Sequence, residues 1–80
     1  MVDIRVPDGL WDITTIPEGV VANWFFNDGS GVVEGATVAE VVAEKSSFDI
    51  TAPKSGTLKI IVAKDGVVIP GTVIARIEDG

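Results

Sequence analysis

The chain contains no cysteine and no histidine. Without cysteine there is no disulfide and no thiolate metal site. Without histidine a Ser-His or Cys-His nucleophilic pair is impossible. A metal would have to rest on carboxylates alone, and no acidic loop of the calcium-binding type is present. Positive charge is also scarce, with 6 basic against 12 acidic residues and a net charge of −6. That balance opposes binding to nucleic acid or to an anionic membrane surface, and it suits docking onto basic protein surfaces. Apolar runs are short, as at residues 60–63, so no membrane span is expected. The N-terminal Met-Val-Asp-Ile-Arg-Val-Pro lacks a basic start followed by an apolar stretch, so no signal peptide is expected. A cytoplasmic location is the default expectation, with a mature mitochondrial matrix protein as the alternative.

What is present is a single small domain, residues 1–80, that is 46 % hydrophobic. That content is too high for a disordered tail. Nine glycines and four prolines punctuate runs rich in Val, Ile, Thr and Phe, the composition of short strands separated by turns. Strands are expected over 2–6, 20–26, 38–43, 47–51, 58–63 and 73–77, with two short pieces at 32–33 and 67–69. Many short strands without helix signals indicate a sandwich or barrel.

The sequence also repeats. Gly19-Val-Val-Ala-Asn-Trp-Phe-Phe-Asn-Asp-Gly29 parallels Gly56-Thr-Leu-Lys-Ile-Ile-Val-Ala-Lys-Asp-Gly66, an offset of 37 residues (19 to 56). One residue fewer separates the next blocks, Gly35-Ala-Thr-Val-Ala-Glu-Val41 and Gly71-Thr-Val-Ile-Ala-Arg-Ile77. Two copies are too few for a solenoid. They can pair about a pseudo-twofold axis, which predicts an all-β flattened barrel, a barrel-sandwich hybrid of two four-stranded sheets. Asp28-Gly29 and Asp65-Gly66 read as tight turns in which glycine takes a positive φ, and Gly35 and Gly71 as sharp re-entries into strands.

Between the copies lies Glu44-Lys45-Ser46, joining two strand-like runs. A tight hairpin there thrusts Lys45 away from the core. The equivalent corner of the other copy is Glu78-Asp79-Gly80, so Lys45 and the termini are expected at opposite ends.

The ordered motifs resemble the lipoyl domains of the 2-oxo acid dehydrogenase acyltransferases, within the wider biotinyl/lipoyl-attachment family. Pro17-Glu-Gly-Val-Val-Ala-Asn-Trp24 resembles the opening E-G-x-(I/V)-x-x-W. Asp28-Gly-Ser-Gly-Val-Val-Glu-Gly35 resembles the E-G-D-x-V-x-x-G turn. Val38 to Asp49 resembles L-x-E-(I/V)-x-(T/S)-D-K-(A/V)-x-x-E, and Ala52-Pro-Lys-Ser-Gly-Thr-Leu58 resembles A-P-x-x-G-x-(I/V/L). The match runs through nearly the whole chain in order. It implies that Lys45 is the covalent attachment lysine for lipoate, with Glu44 and Ser46 as flanking recognition residues and no catalytic residue in the domain. It also implies its partners: a lipoate ligase or lipoyl transferase, a thiamine-dependent decarboxylase, an acyltransferase core and a flavin dihydrolipoyl dehydrogenase. The domain itself is expected to be a monomer and a carrier, either free-standing or part of a longer acyltransferase.

The resemblance has departures. Glu44-Lys45-Ser46 stands for the usual Asp-Lys-Ala, a change that keeps the charge. Val6-Pro-Asp-Gly-Leu-Trp-Asp12 replaces the early Leu-Pro-x-(L/I)-G-E-G segment and reaches Glu18-Gly19 by a longer path, which points to an unusual decarboxylase partner. Biotin is the alternative cofactor, but its lysine is usually flanked by methionines, and here the only methionine is Met1. The glycine-cleavage carrier is longer and has helices. An unmodified barrel acting as an interaction module is the alternative of a different class. Lys54, Lys59 and Lys64 read as solvated surface residues. Trp24 and Phe26 read as core packing, and Trp11 as packing over a barrel end or as a partner contact. Glu44 and Asp49 guide partners or merely solvate the hairpin.

Overall fold

The computed structural model describes residues 2–78. They form eight strands: β1 (Val2–Arg5), β2 (Gly19–Trp24), β3 (Gly31–Val32), β4 (Thr37–Ala43), β5 (Ser46–Thr51), β6 (Gly56–Ile60), β7 (Val67–Val68) and β8 (Val73–Glu78). All pairings among them are antiparallel. One sheet has the order β1-β8-β6-β3 and the other β5-β4-β2-β7. Each of the eight expected strands is found, with no end displaced by more than three residues. The sheets face each other as a sandwich and do not merge into one continuous hydrogen-bonded barrel among the described residues.

The two sheet orders superimpose term by term: β1 on β5, β8 on β4, β6 on β2, β3 on β7. The repeat seen in the sequence is therefore the twofold symmetry of the fold. Alternation along each strand supplies the core. Val21, Val38, Val41, Leu58, Ile74 and Ile77 are fully buried, and no polar or charged residue is buried among the described residues. Burying each such aliphatic side chain contributes about 1.5–3 kcal/mol relative to leaving it exposed.

The Asp-Gly turns differ between the halves. Gly29 has φ +87, as expected. In the second copy the positive φ falls on Asp65, at 72, and Gly66 is needed for another reason. A Cβ on Gly66 would collide with Val62 Cγ1 and lie 2.9 Å from the Ala63 carbonyl oxygen. Gly35 and Gly71 do take the left-handed conformation, with φ +87 and +93.

Strand β1 leaves the end of the molecule where Val2 pairs with Ile77 and runs to the end where Arg5 pairs with Val73. The chain then enters the 6–18 loop, which packs against the β4–β5 hairpin. The hairpin and the β1–β8 corner thus lie at opposite ends, in accord with the symmetry. Asp79 and Gly80, part of the expected terminal corner, lie outside the described residues.

Candidate attachment site

The β4–β5 hairpin is tighter than the sequence suggests. Ala43 pairs with Ser46, so Ser46 belongs to β5 and only Glu44 and Lys45 form the turn. A two-residue antiparallel connection needs a positive φ at its first position, because only then does the turn follow the right-handed twist of the strands. Glu44 supplies it with φ 55, and Lys45 has no positive φ. The usual occupant of such a position is glycine, asparagine or aspartate. A glutamate there is strained, by about 1–2 kcal/mol.

Lys45 is exposed at the second turn position, beside exposed Glu44, Ser46 and Ser47. No hydrogen bond or ion pair engages its amine among the described residues. Immediately behind it Ala43 is fully buried. The base of the turn is therefore fixed in the core while the side chain projects into solvent. A primary amine free of partners at a rigid tip fits amide attachment of a carboxylic cofactor. Lys54, Lys59 and Lys64 are also exposed, but none lies in a hairpin turn.

The loop from Pro7 to Glu18 reaches the same end. Val6 N donates to Thr72 O at 2.9 Å, and Gly71 N donates to Val6 O at 2.7 Å. Trp11 is 8 % exposed and stacks on Phe48, with ring centroids 5.9 Å apart and planes 23° from parallel. Packing is thus the role of Trp11. A Cβ on Gly19 would stand 2.8 Å from Val42 O and 3.0 Å from the Trp11 ring, so glycine lets the indole close over the barrel end. The burial leaves the Trp11 indole N–H without an acceptor. The contact of Trp11 with Phe48 was not foreseen, although Phe48 shares a strand face with the buried Ile50, and that alternation points it inward.

Beyond Trp11 the loop is held by local turns. Asp12 Oδ1 accepts from Thr14 Oγ1 at 2.6 Å and from Thr14 N at 2.9 Å. These two bonds, the hydroxyl one first, hold the Asp12 carboxyl below its ordinary range. At the other end Trp24 and Phe26 pack against the core, and the Trp24 indole donates to Val62 O at 2.9 Å. Phe25, on the opposite face, is 50 % exposed. Asp49 is exposed on β5, paired across the sheet with Glu40.

Comparison with known proteins agrees with this geometry. Residues 2–77 match the biotin/lipoyl family model described as "Biotin-requiring enzyme". Over 64 residues, 79 % of the chain, it is 36 % identical to the dihydrolipoyllysine-residue acetyltransferase component of the pyruvate dehydrogenase complex of Staphylococcus aureus (strain Mu50). The corresponding component from Staphylococcus epidermidis (strain RP62A) has the same identity over the same length. The match spans 15 % of the length of these relatives.

Proposed function

The chain belongs to the biotin/lipoyl family of attachment domains, and from that membership we propose that it is a lipoyl carrier whose attachment residue is Lys45. The observation that carries this reading is the exposed, unpartnered amine at the tip of the two-residue hairpin that links the two repeats. Attachment joins Nζ to the cofactor's carboxyl carbon as an amide. ATP activates the carboxyl, one carboxyl oxygen departs on AMP, pyrophosphate is released, and the lysine ammonium gives up two protons and keeps one N–H in the amide. Glu44 and Ser46 flank the amine as recognition residues.

Lipoate supplies a dithiolane that accepts acyl groups and electrons. The protein's part is to hold and present. The buried Ala43 and the Trp11–Phe48 stack keep the hairpin base rigid, so mobility is confined to the side chain and what it carries. Tethering raises the local concentration of the carried group at each partner in turn. Those partners are the decarboxylase, acyltransferase and flavin components of a 2-oxo acid dehydrogenase complex, as in the complex named for the relatives. The domain is non-catalytic by itself.

Biotin is the second reading, since the family covers both cofactors. The flanks Glu44 and Ser46, with no methionine beside Lys45, favour lipoate, as do relatives named for dihydrolipoyllysine. The test is Lys45→Arg, which keeps the charge but offers no amine for acylation. It is expected to fold as the parent does and to lose cofactor transfer completely. Transfer to the variant at the parent's rate would remove Lys45 from the site.

A further inference from the structure

The outward face of the β5-β4-β2-β7 sheet differs from that of its partner sheet. Val67 pairs with Val20, Val20 with Val42, and Val42 with Ser47. Paired residues share a face. Their neighbours Val21, Val41, Ala43 and Val68 are buried, so this row faces solvent. Val67 is 57 % exposed, and Val20 and Val42 are half-buried. Three valines therefore form an apolar stripe across three strands, ending at Ser47, two residues from Lys45.

The stripe is bracketed by acids. On the hairpin side stands Glu44. On the far side the next outward row is Asn23, Glu40 and Asp49, in register. Apart from Lys45 itself, no basic residue lies in any strand or hairpin turn of this sheet. The equivalent outward row of the other sheet is Asp3, Arg76 and Lys59, where Arg76 Nε lies 3.2 Å from Asp3 Oδ1. Symmetry relates the two faces, but this row carries two cations where its counterpart carries none.

Resting on the carrier reading, we propose that this acid-bracketed valine stripe is the docking surface for the ligase that acylates Lys45. The occupant follows from reach. The amine to be acylated stands one lysine side chain from the turn, so the ligase must bring its active-site mouth over the first rows of the hairpin. Enzymes that act on the end of the finished arm need not approach so closely. A second copy of this chain is disfavoured, because the face would set Glu44, Glu40 and Asp49 against their own copies. The ligase surface that fits carries an apolar ridge with arginine or lysine on either side.

The experiment follows transfer of lipoate to the domain by a lipoate ligase, using intact mass and initial rates. The variant Val20→Thr/Val42→Thr/Val67→Thr keeps β-branched side chains on the strands while removing the apolar stripe. It is expected to retain the parent's circular dichroism and to raise KM about tenfold or more, the equivalent of losing about one buried apolar side chain, with kcat little changed. Val20→Lys is expected to impair transfer more than Val20→Glu, and added salt to raise KM for the parent. Val33→Thr, an exposed apolar residue outside the stripe, is the control and leaves KM unchanged. A triple variant within twofold of the parent, or a control affected equally, would overturn the docking surface while leaving the carrier role intact. Failure of the parent itself to accept lipoate would instead overturn the carrier reading.

Discussion

Three residues around the hairpin are each held in a conformation with a measurable consequence. Glu44 sits at φ 55 so that the turn can close in two residues. Glu44→Gly relieves that conformation at the cost of a more flexible unfolded chain. The expected result is a gain of about 0.5–1 kcal/mol in urea unfolding. Trp11 stacks on Phe48 but buries its N–H without an acceptor. Trp11→Phe keeps an aromatic ring there and removes the orphan donor, so it should be neutral or stabilising by about 1 kcal/mol. Trp11→Ala should lose about 3 kcal/mol or more. If the phenylalanine variant were as damaging as alanine, the fit of the indole would matter more than its unsatisfied polar atom. Asp12 behaves through charge. Its carboxyl is held below its ordinary range by Thr14, so the turn it makes is intact above the unfolded-chain value. That turn is lost as pH falls through the folded value. The Thr14 amide resonance should follow this transition at lower pH than in a free peptide spanning residues 10–16.

At the scale of elements, turns were read well from their glycines but not always for the right reason. Asp65-Gly66 looks like a second copy of Asp28-Gly29, yet the left-handed residue moves from glycine to aspartate. The first copy carries its extra residue in the β2 bulge between Val21 and Asn23, which β6 lacks, so Asp65 occupies the place of Gly29 and Gly66 that of Ser30, where closeness to Val62 and Ala63 requires glycine. The clash is with residues only three and four positions back, but it depends on the path of the turn, which the residue pattern does not display. Gly66→Ala should therefore destabilise by about 1–3 kcal/mol, although its φ is not left-handed. The Asp28 side chain adds a link invisible in the sequence: its Oδ1 accepts from Ile60 N at 2.8 Å, tying the first turn to β6. The hairpin ends were also displaced, because Ser46 resembles a turn residue but pairs with Ala43. Its position in β5 shortens the turn and leaves Lys45 as the outer of only two residues.

The whole molecule was the most legible scale. The repeat of Gly19–Gly29 at Gly56–Gly66 predicted two equivalent halves, and the two sheets carry their strands in equivalent order. Symmetry of this kind is written in glycine spacing and alternation, both of which sequence displays directly. The difference between the two outer faces was not legible, because it depends on register: only pairing sets Val67, Val20 and Val42 in one row where the other sheet has Gly31, Thr57 and Glu78, and Asn23, Glu40 and Asp49 in the next where the other has Lys59, Arg76 and Asp3. On the proposed carrier reading, the position of Lys45 at the seam of the symmetry gives one end of the molecule a role the other lacks. The most direct measurement is the intact mass of the domain after incubation with lipoate, ATP and a lipoate ligase, in parallel with biotin and a biotin ligase, followed by peptide mapping. A single lipoyl-sized gain on the peptide containing Lys45, with none from biotin, is the predicted result. A gain only from biotin, or a lipoyl group on Lys54, Lys59 or Lys64, would contradict it.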